Sequence, residues 1–316
     1  MRLGRIMRRQ SEALTIIKWR LTKPEYLFRP LTILRRFRKL HKGQDPMYSV
    51  AKLYWRLTLR VSTSDKLSAG IIRTGIDDIT QSEIIWRLLA GGDTAIDVGA
   101  NIGYVASIMA AKVGPRGKVL AFEPHPGLCE ELRTNVNAWG PGHPQVEVFQ
   151  TALSEQSGVG SLSVPQRFHE NRGVSRVVSS SQHIGTETLL PIALRRLDDV
   201  WEGEGPIALV KIDVEGHELA VLKGARRLFK RGVIRNIVFE DFGGSDSETM
   251  RLLKNAGYTI WQFGCDLLGP RLSAPGARKQ APWLPPNFLA SLTPGVVEER
   301  LRPRGWRILR PETPCR

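Results

Sequence analysis

Between residues 94 and 263 short apolar runs alternate with stretches of helical length, and no other feature of the chain restricts its fold as much. Thr94–Val98, Lys118–Phe122, Val146–Ala152, Ile207–Ile212, Val233–Phe239 and Tyr258–Phe263 read as strands. Residues 102–113, 126–139, 217–229 and 245–256 read as the helices between them. A chain that alternates in this way predicts an α/β fold with a mostly parallel sheet and helices on both faces. Upstream, residues 53–61 and 71–74 look like short strands, and 81–89 like a helix stopped by Gly91-Gly92. Residues 154–196 break the rhythm and are rich in Ser, Gly and Val, so a hairpin and a loop are expected there. The stretch 265–316 holds nine of the 20 prolines and reads as a wrapping extension. The division expected is a basic amphipathic extension at 1–52, a domain at 53–264 with an insert at 154–196, and a Pro-rich basic extension at 265–316.

Composition matters here mainly through where the charge lies. The apolar fraction of 41% suits a folded globular chain. The formal net charge is +15, but residues 1–60 carry +13, residues 300–316 carry +5, and the 239 residues between them carry −3. The near-neutral middle argues against a nucleic-acid surface there. The three cysteines, Cys129, Cys265 and Cys315, lie far apart, which excludes a disulfide framework or a zinc module built on paired cysteines. No apolar run reaches the roughly 18–20 residues of a membrane span. The leader is amphipathic instead. Leu3, Met7, Leu14 and Ile17 recur among arginines, and Leu31, Leu34, Phe37 and Leu40 recur after Pro30. Such a segment suits peripheral contact with an anionic membrane through residues 1–45, on an otherwise cytoplasmic protein. A targeting leader, or a start at Met47, are the alternatives.

Three segments carry chemistry. The first, Asp97-Val98-Gly99-Ala100-Asn101-Ile102-Gly103-Tyr104, joins a strand to a helix. Its glycines allow close approach of a ligand to the backbone, and the helix start offers free N–H groups. The spacing is not the G-x-G-x-x-G of dinucleotide binders. A carboxylate two residues before the first glycine would repel a pyrophosphate and suits a ligand bearing an ammonium group, which favours S-adenosylmethionine (SAM) over NAD. The second is Glu123, at the tip of the next strand, where an acid accepts hydrogen bonds from ribose hydroxyls. The third is Lys211-Ile-Asp213-Val-Glu215-Gly-His217-Glu218, at the end of a buried strand beside the first. Glu218 fits a helix N-terminus, where acids are favoured by the dipole. Asp213 belongs to the strand tip and faces the crevice at the sheet's switch point.

In order and spacing, Asp97–Tyr104, then Ala121-Phe-Glu123-Pro-His125-Pro, then Lys211–Glu218 with the later Leu222-Lys-Gly-Ala225, resemble the FkbM family of SAM-dependent methyltransferases. Ala152-Leu153-Ser154, Asn171-x-Gly173-x-Ser175 and Leu197-Asp198-Asp199 also resemble it. The resemblance covers about residues 57–262 and implies a class I methyltransferase fold, a seven-stranded, mostly parallel Rossmann-like sheet. By motif match, Gly99, Asn101 and Gly103 would line the methionine part of SAM, with Asp97 near its amino end. Glu123 would hold the ribose, Ala152 would border the adenine, and Asp213 would lie near the transferred methyl. Where the family carries an aromatic–acidic pair ahead of Asp97, this chain has Gly75-Ile76-Asp77-Asp78.

The resemblance implies methylation of a hydroxyl on a sugar, glycolipid or polyketide. An aliphatic hydroxyl is a poor nucleophile and needs a base within hydrogen-bond reach. Asp213, Glu215, His217 and Glu240 are the candidates, with Asp213 and Glu215 favoured and His217 next. These acids are read as proton carriers, and no metal is expected. The alternative function is RNA methylation, or RNA binding through the basic leader.

Overall fold

The computed structural model describes residues 24–28, 30, 31, 34, 47–140, 145–178, 187–277 and 286–310. Leader positions Leu3, Met7, Leu14, Ile17, Phe37 and Leu40 lie outside these residues, as does Cys315. A short helix, α1 (Pro24–Phe28), precedes a hairpin of β1 (Tyr48–Lys52) and β2 (Thr58–Ser62). Helices α2 (Lys66–Thr74) and α3 (Ile79–Leu88) follow. Ile71–Thr74, expected as a strand, is thus the end of a helix. The Asp65 carboxylate accepts from the Ser68 amide at the start, and Gly75, at φ 80°, closes the end by donating to the Ile71 carbonyl.

The alternating region then runs β3 (Thr94–Val98), α4 (Tyr104–Val113), β4 (Lys118–Phe122), α5 (Pro126–Ala138) and β5 (Gln145–Phe149). The expected strand 146–152 is divided. Beyond Phe149 the chain leaves the main sheet as β6 (Ala152–Leu153), which pairs with β9 (Thr188–Arg195). With β7 (Gly158–Val164) and β8 (Arg176–Val178), these build a separate four-stranded sheet from the expected insert. Next come α6 (Leu197–Val200), β10 (Leu209–Ile212), α7 (Glu218–Lys223), α8 (Arg226–Lys230), β11 (Asn236–Glu240), α9 (Glu248–Asn255), β12 (Thr259–Asp266), β13 (Gly269–Ser273), β14 (Asn287–Ser291) and α10 (Pro294–Leu301).

The main sheet has the order β13-β12-β14-β11-β10-β3-β4-β5. Its five strands from β11 to β5 are parallel, while β14, β12 and β13 are antiparallel. This is the class I methyltransferase architecture with one strand more than seven, because β13 folds back on β12. Each face is covered. Helices α3, α4, α5 and α10 pack with the β1–β2 hairpin over one face. Helices α7, α8 and α9 cover the other. The chain reverses direction across the sheet between β3 and β10, which is where an open parallel sheet leaves its ligand crevice.

The proline-rich stretch does more than wrap. Between Pro286 and Pro294 lies a proline-free run, Asn287–Ser291, and it forms β14 between β11 and β12 with all five residues buried. The following residues are tied down by a buried ion pair of α3, with Arg87 Nε 2.5 Å from Glu83 Oε1. The Arg87 guanidinium donates to the carbonyls of Leu301, Pro303 and Gly305, and Glu83 accepts from the amides of Arg307 and Ile308. Among the described residues no helix is long and apolar enough to cross a membrane.

Candidate active site

The loop between β3 and α4 is fixed from both sides. The Gly99 and Ala100 amides donate to the Phe122 carbonyl at the tip of β4, each at 3.0 Å. On the other side the Asp213 amide donates to Val98, and the Lys211 ammonium donates to the Gly99 carbonyl at 3.0 Å. Gly99 has φ 76°, and a Cβ there would come within 2.0 Å of the Asp213 carbonyl oxygen. Only glycine allows the two strand tips to meet this closely. Asn101 sits at φ 50°, a left-handed conformation that Asn tolerates, and its side chain accepts from the Ile102 amide. Its own amide donates to Glu123 Oε2 at 2.9 Å, and the His125 amide donates to Glu123 Oε1 at 2.9 Å. Glu123 therefore braces the loop while lining the cavity, and burial raises its pKa to about 7 against the pull of those two amides.

Lys211 was not singled out from the sequence as a site residue. It is the one charged side chain within the buried run Leu209–Ile212, which is the signal that could have marked it. It stands beside Asp97 in the register of β10 and β3. Its ammonium lies 3.5 Å from Asp97 Oδ1 and 3.4 Å from Asp213 Oδ2. Burial opposes its charge, but the two carboxylates outweigh burial and hold its pKa above the ordinary lysine value. Asp97 is fully buried, and neither of its oxygens has a close hydrogen-bond partner among the described residues. Burial raises its pKa to about 6 even with Lys211 beside it.

One cavity of about 1240 Å³ opens over these strand tips. Gly99, Asn101, Glu123, Ala152, Asp213, Glu215 and His217 all line it, as does Glu240 at the end of β11. Asp97 and Gly103 lie behind the wall. Asp97 supports the loop through Lys211, and a Cβ on Gly103 would lie 2.6 Å from Leu132 of α5. Glu218 also turns away from chemistry, because its carboxylate accepts from the amides of Val214 and Gly216 and fixes the loop below them. Glu215, held at φ 51°, has its pKa raised by burial and by Asp213. His217 pairs through Nε2 with Ser154 Oγ at 3.0 Å, and burial lowers its pKa. Burial, and then Asp213, push Glu240 up to about 8. Asn287 lies opposite Glu240 in the β11–β14 register, and its buried Oδ1 has no hydrogen-bond partner among the described residues. The proline-rich stretch thereby adds a polar group to the cavity that composition did not reveal.

The insert closes the far side. Asn171, Arg172, Gly173 and Ser175 line the cavity. Arg172 grips Glu131 of α5 with two nitrogens at 2.5 and 3.0 Å, and its amide donates to Asp65. His125, by contrast, caps α5 and stacks on Phe168 at 4.5 Å. The cavity wall carries seven acids, Asp77, Asp78, Glu123, Asp213, Glu215, Glu240 and Asp266, against the bases Arg172 and Lys211, which are both paired with carboxylates.

Comparison with known proteins identifies the family. Residues 97–260 match the family model described as the methyltransferase FkbM domain. Methyltransferase sdnD of Sordaria araneosa is 28% identical over 58% of this chain and 81% of its own length. The hexuronic acid methyltransferase AglP of Haloferax volcanii is 30% identical over 59% of this chain and 67% of its own. The 31-O-demethyl-FK506 methyltransferase FkbM of Streptomyces tacrolimicus is 30% identical over 54% and 75%. Among solved structures, a SAM-dependent O-methyltransferase from Thermotoga maritima aligns over 67% of this chain and 64% of that one, at 15% identity and a TM-score of 0.37. The fold assignment rests on the strand order given above.

Proposed function

The chain belongs to the FkbM family of SAM-dependent methyltransferases, and from that premise we propose that it methylates a hydroxyl of a sugar, glycolipid or polyketide-type acceptor. The named relatives include a hexuronic acid methyltransferase and a 31-O-demethyl-FK506 methyltransferase. The observation that carries the reading is a single space bounded by a glycine loop with Glu123 on one side and by Asp213, Glu215, His217 and Glu240 on the other.

The residues present fit SAM. Gly99, held against the Asp213 carbonyl, lines the cavity with bare backbone, and Glu123 reaches the cavity with lone pairs left to accept from ribose hydroxyls. The volume also exceeds that of a usual single-ligand pocket, roughly 300–1,000 Å³, which leaves room for an acceptor beside a cofactor. SAM supplies a methyl group already activated on a sulfonium. The protein's task is to align the acceptor oxygen and to take its proton.

Among the four candidate bases, Glu240 and His217 suit that task best. Asp213 is engaged by the Lys211 ammonium at 3.4 Å, which commits its carboxylate to that contact. Burial and Asp213 outweigh the pull of Lys211 on Glu240, and its pKa of about 8 matches a group that must both take and release a proton near neutral pH. Asn287 across from it would orient the acceptor by accepting from a second hydroxyl. The acidic wall disfavours a polyanionic acceptor such as RNA.

Calorimetry with SAM tests the reading. Binding by the intact chain is expected, and Glu123→Gln is expected to weaken it by about 1–3 kcal/mol. No heat with SAM under any condition would overturn the proposal.

A further inference from the structure

We propose that Ser154 is a positioning residue for methyl transfer: its hydroxyl accepts from Nε2–H of His217 and so leaves Nδ1 of that ring as the group that takes the acceptor's proton. This rests on the reading of the cavity as a methyl-transfer site.

Both partners are fixed before any ligand arrives. Ser154 follows β6 and is 5% exposed. Its amide donates to the Arg195 carbonyl at 2.9 Å, so the insert sheet holds it. Its carbonyl abuts Gly224, where a Cβ would come within 2.1 Å of the oxygen, so the end of α7 holds it from the other side. His217 stands at the N-terminus of the same helix. A side chain at that position commonly caps the helix, yet the His217 ring makes no such bond. It turns instead to Ser154, with Nε2 3.0 Å from Oγ. The loop before it is fixed by Glu218, which accepts from the amides of Val214 and Gly216. A base that is itself oriented by a third group is the arrangement that activates hydroxyl nucleophiles.

The hydrogen bond decides the tautomer. A neutral imidazole has one N–H and one lone pair, and the partner of one nitrogen sets which is which. If Ser154 donated to Nε2, Nδ1 would hold the proton and could take none from the acceptor. With Ser154 accepting, Nδ1 carries the lone pair. His217 lines the cavity, and among the described residues none hydrogen-bonds to Nδ1 or encloses it. Burial lowers the His217 pKa against the pull of Glu155, so the ring is neutral and able to accept near neutral pH. The acceptor oxygen takes the methyl group from SAM as its O–H bond breaks. The proton passes to Nδ1, and the electron pair of the methyl–sulfur bond stays on sulfur. The ring then carries N–H on both nitrogens, so the bond to Ser154 persists through the step and becomes charge-assisted. The proton leaves to solvent with the products.

Nitrogen NMR of the full chain, labelled with heavy nitrogen in its histidine rings and loaded with S-adenosylhomocysteine, tests this. The His217 ring is identified by the loss of its signals in His217→Gln. In the wild-type chain the ring is expected as a single neutral tautomer with the proton on Nε2. Ser154→Ala is expected to give a mixture of both tautomers, and Ser154→Thr, which keeps the hydroxyl, to restore the single one. Diethyl pyrocarbonate, which acylates an exposed ring lone pair, is expected to modify His217 in the wild-type chain without ligand. A proton on Nδ1 in the wild-type chain, a ring in Ser154→Ala indistinguishable from wild type, or an unreactive His217 would each overturn the proposal. The wild-type tautomer needs no variant, so a failure of Ser154→Ala to fold leaves that measurement decisive. A chain that binds S-adenosylhomocysteine with the proton on Nδ1 loses only this role for Ser154, whereas a chain that binds neither SAM nor S-adenosylhomocysteine loses the methyltransferase reading.

Discussion

Lys211 ties the two halves of the site together with one ammonium group. It touches the β3–α4 loop at the Gly99 carbonyl and stands between the carboxylates of Asp97 and Asp213. Removing one partner of a buried ionic cluster leaves the other uncompensated, which costs about 3–5 kcal/mol. Lys211→Met should therefore lower unfolding free energy by that amount in denaturant titrations. Adding Asp97→Asn should restore part of the loss, because the orphaned charge is then gone. The raised carboxylates make a second prediction. Asp97, Glu123 and Glu240 hold their protons more tightly in the folded chain than the usual carboxyl, with values of about 6, 7 and 8. Within that window the folded state binds more protons than the unfolded one, so stability falls as pH rises from about 4.5 towards 8. Thermal midpoints should decline over this range, and Glu240→Gln should remove the part of the decline nearest pH 8. The sequence motifs converge on one cavity in the fold, though not every motif residue lines it. Asp97 and Gly103 are spaced as ligand contacts, yet they face the packing behind the wall. Which side of a loop a residue faces depends on the neighbouring strand, and linear spacing does not contain that.

At the scale of elements, the β3–α4 loop is the most constrained piece of backbone. Gly99→Ala must both strain a left-handed φ and drive a Cβ into the Asp213 carbonyl, whereas Gly92→Ala, at φ 88°, meets nothing within 4 Å. Gly92→Ala should cost only the backbone strain, of order 1–3 kcal/mol. Gly99→Ala should cost more in denaturant titrations and should weaken SAM binding as well. The insert is held by a different device, the paired contact of Arg172 with Glu131 across the cavity. Arg172→Met should leave the main sheet intact and speed proteolytic cleavage between residues 165 and 187. The parallel strands were legible because they are buried on both faces and read as continuous apolar runs. Thr94–Val98 and Lys118–Phe122 have the bounds expected of them. Ile71–Thr74 was misread because β-branched residues there sit in a helix secured by Asp65 and Gly75, and local caps outweighed propensity. Residues 287–291 were hidden by composition, since a five-residue run that opens on Asn and ends on Ser between prolines gives no period long enough to interpret.

Over the whole molecule, the charge separates two kinds of surface. The motifs occupy the nearly neutral middle of the chain, and the ends supply the net positive charge. The end of the described chain is nonetheless part of the fold. Trp306, Ile308 and Leu309 are buried, and the backbone of residues 301–308 satisfies the Glu83–Arg87 pair. Removing residues 302–316 would expose that apolar surface and strip the buried Glu83 carboxylate of two amide donors, so the shortened chain should lose its cooperative thermal transition when followed by circular dichroism. The position of β14 has a further consequence for biosynthesis. Because it lies between β11 and β12, the two strands it separates cannot be set at their final spacing until residue 291 has left the ribosome. The β3–α4 loop is translated well before Asn287. Until then the nascent polypeptide holds an open sheet with an unfilled slot, a state exposed to pairing with the wrong strand.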